Sequence, residues 1–333
     1  MRLLELNNSG TKSARALTIG NFDGVHLGHR AILDRLVSVA LKKNLIPSVL
    51  TFQPHPAEFF AREKAPVRLY GNREKLNSFS EAGVAQAILL PFNRKYSKML
   101  PEQFIRDILV SRLSVKWLLV GDDFRFGMDR RGDYDMLRVK GVEFGFEVEA
   151  NSSVKVGQVR VSSTAVREAL SKGDLEFAEQ LLGKRYNVCG RVIHGDQIGR
   201  TLGYPTANIH FTRDLFPLNG IFMAFIDGPA FTQKPALVSV GKRPTVTNNG
   251  IVCVEVNILD FSGDLYGEKL NVQFVRKIRD QEAFASKDEL IVAMKQDERI
   301  SRKFFKVNSG EKWVAYKIGI ALDVLNFYRW LLK

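Results

Sequence analysis

Apolar runs and helical patterns alternate along the first half of the chain. Between the apolar runs, apolar positions recur at helical spacing in the segments Arg30–Lys43, Asn72–Ala82 and Pro101–Arg112. This order predicts βαβ units and a parallel sheet, in which ligands bind at the carboxyl ends of the strands. The predicted strands are Ala16–Ile19, Pro47–Phe52, Ala85–Leu90 and Lys116–Val120.

The pattern changes in the second half, after two further predicted helices at Thr164–Lys172 and Leu175–Leu182. Short β-rich runs separated by Gly, Pro and Asn predict a small antiparallel barrel. Helical patterns return at Lys287–Gln296 and Lys312–Leu332. We expect a boundary near Gly183–Arg185, which gives domains 1–184 and 185–333. The predicted barrel strands are Asn187–Ile193, Gly220–Ile226, Ala236–Val240, Val252–Asp260 and Leu270–Val275.

Length and composition describe an ordinary globular protein. A chain of 333 residues is long for one core, so two domains are expected. Hydrophobic residues make up 45% and charged residues 26%. Cys189 and Cys253 are the only cysteines and form no Cys-x-x-Cys pair, which predicts a reducing cytoplasm and neither a zinc site nor a disulfide framework.

The N-terminus lacks the basic-then-apolar pattern of a signal peptide. The most apolar segment, Trp313–Leu332, is interrupted by Lys317, Asp323 and Arg329. Charges at that spacing argue against a membrane-spanning helix. We expect an amphipathic helix on the protein's own surface, with a peripheral membrane contact as the weaker alternative.

A formal net charge of +13 raises the question of a nucleic-acid partner. The Lys and Arg residues are scattered, however, without a long basic run or a patch with interleaved aromatic residues. Anionic small substrates, or simply a basic surface, explain the charge about as well. We therefore expect no nucleic-acid partner; the sequence does not indicate an oligomeric state.

The most informative segment is Gly20–His29, which follows the first predicted strand and reads GNFDGVHLGH. A strand that turns through glycines into a helix directs backbone N–H groups and the positive helix end at one point, where a phosphate fits. His26 and His29 add imidazole donors to this turn. Either histidine alone could be an ordinary buried imidazole, but the full His-x-Gly-His turn in this context favours phosphate chemistry.

Three further motifs in the first half would have to converge on that turn. Ser162–Arg167 opens a helix with hydroxyls at its positive end, and Arg167 lies one turn further on. Alone, this segment would indicate only a helix cap. His55 follows the second strand between two prolines and could equally belong to a rigid loop. The segment Gly121–Gly127 follows the fourth strand.

Together these four motifs resemble the adenylyltransferase half of the prokaryotic bifunctional riboflavin kinase/FAD synthetase family. The resemblance implies a Rossmann-like nucleotidyltransferase fold of the His-x-Gly-His type, in which the phosphate of FMN attacks the α-phosphorus of ATP and expels pyrophosphate. It implies that His26 and His29 act on the transferring and leaving phosphates, and that His55, Asp123 and Phe124 lie near the flavin or nucleotide. The implied ATP- and phosphate-binding residues are Gly20, Phe22, Asp23, Gly24, Ser163, Thr164 and Arg167.

The second half carries its own candidate chemistry. Glycines 195, 199 and 203 surround Arg200 in a segment that could cradle an anion or be a plain hairpin loop. Thr206 and Asn208 follow on a proline and carry hard oxygen donors suited to Mg²⁺. Alternation in the run Val252–Leu259 places Glu255 opposite the valine face, where it is a general base if that face lines a pocket and a solvated residue otherwise.

These motifs resemble the riboflavin kinase half of the same family. The resemblance implies a six-stranded barrel that binds riboflavin and ATP·Mg²⁺ at one end, with Thr206 and Asn208 helping to hold the metal. It implies that Glu255 takes the proton from the ribityl 5′-hydroxyl. The implied ATP- or flavin-binding residues are Gly195, Gly199, Arg200, Gly203, Pro205, Tyr266 and Arg279.

Some positions depart from the family pattern. Asn257 stands where a His is usual, Val246 where Phe is usual and Phe222 where Tyr is usual. The chain also extends past the usual end near Asp297; a helix covering the barrel is expected there. The departures keep open a second hypothesis, in which the barrel only binds flavin and the protein is solely an adenylyltransferase. A nucleic-acid-binding protein is the third.

Overall fold

The computed structural model describes residues 1–6, 13–195, 203–211, 216–242 and 252–308. The chain divides into two compact units, and the division falls between Cys189 and Gly190. The first comprises residues 1–189 and a short segment ending at Leu218; the second comprises the remaining residues.

The first unit is an α/β unit around a six-stranded parallel sheet of order β1-β4-β3-β2-β5-β6. The strand order reverses at β2, so the loops after β2 and β5 flank the switch point where ligands bind in such sheets. The parallel sheet predicted from the sequence is confirmed. Its strands are β1 (Arg2–Glu5), β2 (Arg15–Ile19), β3 (Ile46–Gln53), β4 (Gln86–Pro91), β5 (Val115–Gly121) and β6 (Glu147–Asn151).

Helices cover the sheet. Helix α1 (Leu27–Lys42) buries Leu33, Leu36 and Val39 beneath its apolar stripe. A small hairpin of β7 (Lys155–Val156) and β8 (Val159–Arg160) precedes α7. The other helices of this unit are α2 (Pro56–Phe60), α3 (Asn72–Glu81), α4 (Arg94–Ser97), α5 (Pro101–Gln103) continuing as a π-helix (Phe104–Arg112), α6 (Tyr134–Phe144), α7 (Ser163–Ser171) and α8 (Leu175–Leu182).

The second half forms a closed six-stranded barrel of order β10-β13-β12-β11-β14-β9, as expected. Alternate side chains of β13, Val254, Val256 and Ile258, are buried, as the alternation predicts. Phe222 is also buried and packs edge-to-face on Phe274, at 5.5 Å between ring centroids. The strands are β9 (Asn187–Ile193), β10 (Ala207–His210), β11 (Gly220–Gly228), β12 (Phe231–Lys242), β13 (Val252–Ile258) and β14 (Lys269–Arg279).

A long helix, α9 (Lys287–Asn308), packs on this barrel. Its Phe305 contacts Phe225 of β11, with the ring centroids 5.1 Å apart. The predicted helix at Lys287–Gln296 is therefore correct in place but too short. The predicted helix at Lys312–Leu332 lies outside the described residues. In the part of the chain that the structure describes, no helix is both long and apolar enough to cross a membrane.

Candidate active sites

The turn after β2 has an unusual backbone. Phe22 and Val25 adopt φ values of 49° and 43°, and Gly24 has φ 84°. A Cβ on Gly24 would also lie 2.7 Å from the Leu69 side chain, so the turn requires glycine there. The chain then enters α1 with His26 as the N-cap residue. The predicted strand–turn–helix is thus present, although α1 begins at Leu27, three residues before its predicted start.

The two histidines of this turn lie face to face. Their rings stack at 3.7 Å between centroids with an interplanar angle of 15°. His26 Nδ1 accepts a hydrogen bond from the His29 backbone N–H at 3.3 Å, which fixes the ring as a helix cap. His29 also packs on Phe22 at 5.0 Å. Its Nδ1 is buried and has no hydrogen-bond partner among the described residues.

Burial keeps both imidazoles neutral. It lowers the pKa of His26 to about 4, and Arg167 lowers it further while Asp23 partly compensates. Burial likewise lowers the pKa of His29 well below its usual value, reinforced by His26 and Lys75. At neutral pH the pair therefore presents N–H donors rather than positive charges.

Asp23 connects this turn to two distant segments. Its carboxylate accepts hydrogen bonds from the backbone N–H groups of Leu69 and Tyr70 at 3.0 Å each. It also pairs with Arg167 of α7, at 2.6 Å between Oδ2 and the guanidinium. The Ser163 hydroxyl donates to the Asp23 carbonyl at 2.8 Å. The histidine turn and the Ser-Ser-Thr helix therefore meet at Asp23.

Helix α7 begins at this meeting point. Ser162 is its N-cap residue and accepts a hydrogen bond from the Ala165 N–H at 3.1 Å. Thr164 is exposed in the first turn. Arg167 is held by Asp23 and by the Val67 carbonyl, 2.6 Å from its Nε. The positive end of α7 thus lies beside the first turn, with the hydroxyls of Ser162 and Ser163 bonded to the protein and that of Thr164 exposed.

The loop after β3 places His55 at the N-cap of α2. Its Nδ1 accepts a hydrogen bond from the Ala57 N–H at 3.1 Å, and Glu58 completes the capping box. Glu58 is in turn held by Arg68 in a two-point ion pair. The His55 ring is half-buried, and burial is the main cause of its lowered pKa.

An exposed aromatic surface continues from His55. Phe59 and Phe60 close α2 and are 37% and 67% exposed. Both rings contact Phe92, which follows β4, at 5.5 Å and 5.8 Å between centroids. Exposed apolar rings at the carboxyl ends of neighbouring strands are typical of a flat ligand's site.

The loop after β5 carries Asp123 and Phe124. Asp123 is exposed and pairs with Arg160 at 3.0 Å. The Phe124 ring stacks on Phe126 at 5.7 Å and packs against the core of the sheet. Both residues therefore lie at the β5 side of the switch point.

In the barrel, Asn208 and Glu255 are direct cross-strand partners on β10 and β13. The Cys253 thiol lies between them, 3.5 Å from Asn208 Oδ1 and 3.7 Å from Glu255 Oε1. The Gly195 backbone packs against the same amide, because a Cβ there would lie 2.2 Å from Asn208 Nδ2. Asn208 is buried. The structure thus joins three of the residues expected in a kinase site.

Two further side-chain contacts involve the neighbouring loops. Asn257 donates its side-chain N–H to the Pro205 carbonyl at 2.8 Å, beside Thr206. The Tyr266 ring stacks on His194 at 3.8 Å. Gly203 is described and has φ 83°. Gly199, Arg200 and Val246 lie outside the described residues.

Arg279 is bound within the protein. Its Nε and a terminal nitrogen bind the carboxylate of Asp297 on α9 at 3.0 Å and 2.8 Å, and Asp297 is only 4% exposed. Another nitrogen donates to the Asp280 carbonyl at 3.1 Å. The guanidinium therefore fixes α9 to the end of β14.

Comparison with known proteins agrees with this geometry. Residues 9–165 match the family described as FAD synthetase, and residues 182–305 match the family described as riboflavin kinase. The bifunctional riboflavin kinase/FMN adenylyltransferase of Escherichia coli (strain K12) is 45% identical over 290 residues, which cover 87% of this chain and 92% of that protein. The chain belongs to this bifunctional family.

A second curated relative supports the family, and a solved structure shares the fold. The bifunctional riboflavin kinase/FMN adenylyltransferase of Haemophilus influenzae is 43% identical over 87% of this chain and 94% of its own length. A solved structure described as a macrolide-efflux protein from Streptococcus pneumoniae is 29% identical. It has a TM-score of 0.78 over 91% of this chain and 99% of that one. The family resemblance found in the sequence is therefore confirmed over most of the chain.

Within the bifunctional family's fold, the structure also identifies residues that sequence reasoning missed. Lys75, Glu58 and Arg68 are charged residues near the histidine turn: the Asp23 carboxylate acts electrostatically on Lys75 and Arg68, and His55 acts on Glu58. Lys75 lies in a helix whose sequence, NREKLNSFSE, resembles a solvated surface. Only the burial of the Lys75 side chain distinguishes it, and the sequence pattern carries no signal of that.

Proposed function

We propose that this chain converts riboflavin and ATP to FMN and ADP in its barrel, and FMN and ATP to FAD and pyrophosphate in its α/β unit. The observation that supports the second step best is the binding of Ser163 and Arg167 to Asp23, beside the stacked His26 and His29. The neutral N–H donors of the two histidines and the positive N-terminus of α7 would then face the same triphosphate.

In the adenylyltransferase step, a phosphate oxygen of FMN forms a bond to the α-phosphorus of ATP. The bond from that phosphorus to the α–β bridging oxygen breaks, and pyrophosphate leaves with its electron pair. Neutral His26 and His29 donate N–H groups to the phosphates as negative charge moves to the leaving group. The α7 N-terminus with Thr164 stabilises the remaining charge, so positioning and electrostatics provide the rate.

We propose that the flavin ring binds over Phe59, Phe60 and Phe92. These exposed rings adjoin His55, so a flavin there would lie at the β3 and β4 side of the switch point. The adenine would then lie on the β5 side with Asp123 and Phe124. This arrangement brings the two phosphate groups together over β2, where the histidines are.

In the kinase step, Glu255 accepts the proton of the ribityl 5′-hydroxyl. The oxygen then bonds to the γ-phosphorus, the bond to the β–γ bridging oxygen breaks, and ADP leaves. The pairing of Glu255 with Asn208 supports this role. The hydroxyl of Thr206 and the amide oxygen of Asn208 fit Mg²⁺, which would neutralise phosphate charge when bound. Among the described residues, no three His, Cys, Asp or Glu side chains are grouped so that they could hold a metal ion.

The contact of Asn257 with Pro205 favours two activities over an adenylyltransferase alone. Asn257 takes the place of the usual His, yet it anchors Pro205, which precedes Thr206 and the strand β10 that carries Asn208. Phe222 stands where Tyr is usual and is buried in the barrel core. Among the described residues, the lack of the Tyr hydroxyl there removes no contact with Glu255. Both departures therefore leave the proposed kinase residues in place.

Two further assignments, the cellular location and the domain boundary, accompany this proposal. We propose a cytoplasmic location, because Cys189 and Cys253 form no disulfide, as is usual in a reducing compartment. We also keep the functional boundary at residue 184, close to the start of the riboflavin kinase match at residue 182.

Product analysis tests the proposal. Purified protein is incubated with riboflavin and ATP, and separately with FMN and ATP. The flavins are identified by chromatography, and ADP and pyrophosphate are assayed. FMN with ADP in the first reaction and FAD with pyrophosphate in the second are expected. FAD from FMN without any FMN from riboflavin would instead indicate an adenylyltransferase alone, and steeply salt-dependent RNA or DNA binding without flavin products would indicate the nucleic-acid hypothesis.

A further inference from the structure

Lys75 is a buried lysine whose side chain has no hydrogen-bond or ion-pair partner in the part of the chain that the structure describes. It lies in the first turn of α3 and is only 6% exposed. The neighbouring, partly buried cations differ, since Arg167 binds Asp23 and Arg68 binds Glu58. Burying an unpaired ammonium is unfavourable, so a purely structural position would be better served by an apolar residue.

The side chain lies on the face of α3 that packs against the histidine turn. Phe79 is one helical turn further along the same face and contacts Phe22 edge-to-face at 5.3 Å. Phe22 in turn contacts His29 at 5.0 Å. The charged and titratable groups around Lys75 are Asp23 and His29 of the turn, and His55, Glu58 and Arg68 of the segment between β3 and α3.

The topology sets which substrate Lys75 would meet. Helix α3 connects β3 to β4, and these strands lie on the side of β2 opposite β5. The phenylalanine surface proposed for the flavin lies on that same side. The ATP triphosphate already has the α7 N-terminus and its hydroxyls. The phosphate of FMN, a dianion that must approach a second anion, has no other assigned cation.

We propose that Lys75 binds the 5′-phosphate of FMN and holds it next to His29 for attack on ATP. This inference rests on the proposed adenylyltransferase activity and deepens it. The ammonium keeps its proton throughout the step: one P–O bond forms, one breaks, and pyrophosphate carries the leaving electron pair. Lys75 neutralises the nucleophile's charge and so lowers the repulsion between the two substrates.

The test is Lys75→Met, which keeps most of the side-chain volume and removes the charge. We expect KM for FMN to rise at least tenfold, KM for ATP to stay within twofold, and FMN formation from riboflavin to be unchanged. Because an unpaired charge is removed, thermal stability is expected to be equal or higher. The matched control is Lys140→Met, an exposed lysine paired with Glu143 on α6, which should leave every parameter unchanged.

A second variant keeps the test decisive if Lys75→Met folds poorly. Burial lowers the pKa of Lys75 to about 8. In the wild type, kcat/KM for FMN should therefore fall as the pH rises above about 8, while kcat/KM for ATP at saturating FMN should not. Lys75→Arg keeps its charge and should lose this fall.

An unchanged KM for FMN in Lys75→Met would overturn the inference, as would an equal rise in KM for both substrates. A lower melting temperature with normal kinetics would show a structural role and would also overturn it. Absence of FAD formation by the wild type would instead remove the proposed activity itself, so the two failures are distinct.

Discussion

Asp23 and Arg167 form an ion pair of 2.6 Å although 144 residues separate them in sequence. Asp23 belongs to the histidine turn, and Arg167 belongs to the helix that begins with the Ser-Ser-Thr segment. The same carboxylate accepts the backbone N–H groups of Leu69 and Tyr70. One buried side chain thus holds together the three segments that we propose for the adenylyltransferase site.

Replacing this carboxylate should disable FAD formation. In Asp23→Asn, one oxygen remains for a backbone N–H, but Arg167 loses its charged partner in a partly buried place. Breaking such a pair costs about 3 kcal/mol of unfolding free energy, and we expect FAD formation from FMN to fall at least tenfold. Steady-state kinetics and thermal melting check this. Asp34→Asn, at an exposed pair with Arg30 on α1, is the matched control and should change neither. Normal FAD formation in a folded Asp23→Asn would refute the hub role.

The neutral histidines predict a pH dependence of stability. Burial lowers the folded-state pKa of His26 to about 4, below its usual value of 6.5. The folded state therefore keeps its stability above pH 6.5 and loses stability as the pH falls towards 4, because the unfolded chain takes up a proton that the buried ring does not. The free energy of unfolding should lose about 2 kcal/mol from His26 between pH 7 and pH 5. Urea unfolding at the two pH values measures this. His26→Asn keeps a capping side chain and should reduce the loss; an equal loss in both proteins would contradict the assignment.

Gly195→Ala should affect only the kinase. A methyl group at this position would lie 2.2 Å from Asn208 Nδ2 and must displace that amide, whose residue pairs with Glu255 across β10 and β13. We expect FMN formation from riboflavin to fall at least tenfold, whereas FAD formation from FMN continues at the wild-type rate and provides the internal control. A kinase of normal rate in this variant would separate Gly195 and Asn208 from the reaction.

Variants of Arg279 can show whether this residue binds nucleotide or anchors α9. Because its guanidinium binds the buried Asp297, Arg279→Ala leaves a carboxylate without its cation and should cost about 3 kcal/mol of unfolding free energy. Thermal melting measures this loss. Arg279→Lys keeps the charge without the two-point geometry and should recover part of it. A raised KM for ATP or riboflavin with unchanged melting would show that Arg279 serves the ligand instead.

The sequence predicted the elements whose burial is continuous or strictly periodic. Strands β2 to β5 are apolar runs, and α1 and α8 carry clear stripes, so their places were correct to within a few residues. Strand β6 (EVEAN) was missed because its exposed residues give it no apolar run, and β10 because only four residues follow a glycine-rich loop. Short edge or inserted strands form through pairing with neighbours rather than through their own composition.

The sequence indicates candidate site residues where they form a motif, and it gives no signal where only the tertiary structure brings residues together. The histidine turn and the Ser-Ser-Thr helix were identified from spacing, and their meeting at Asp23 is what the structure adds. Lys75 and Arg68 belong to segments that look solvated. The aromatic surface is formed by Phe59 and Phe60, which follow β3, and by Phe92, which follows β4. No local sequence pattern connects these two segments.

Separation of the two steps is the most direct test of the account. Flavins formed from riboflavin and ATP are separated by chromatography for the wild type, His29→Ala, Glu255→Gln and an equimolar mixture of the two variants. We expect FAD from the wild type, FMN alone from His29→Ala, and unreacted riboflavin from Glu255→Gln, which should still convert added FMN to FAD. The mixture should form FAD, because FMN passes from one variant to the other. Equal loss of both steps in a folded His29→Ala, or a normal kinase rate in Glu255→Gln, would contradict the assignment of one reaction to each site.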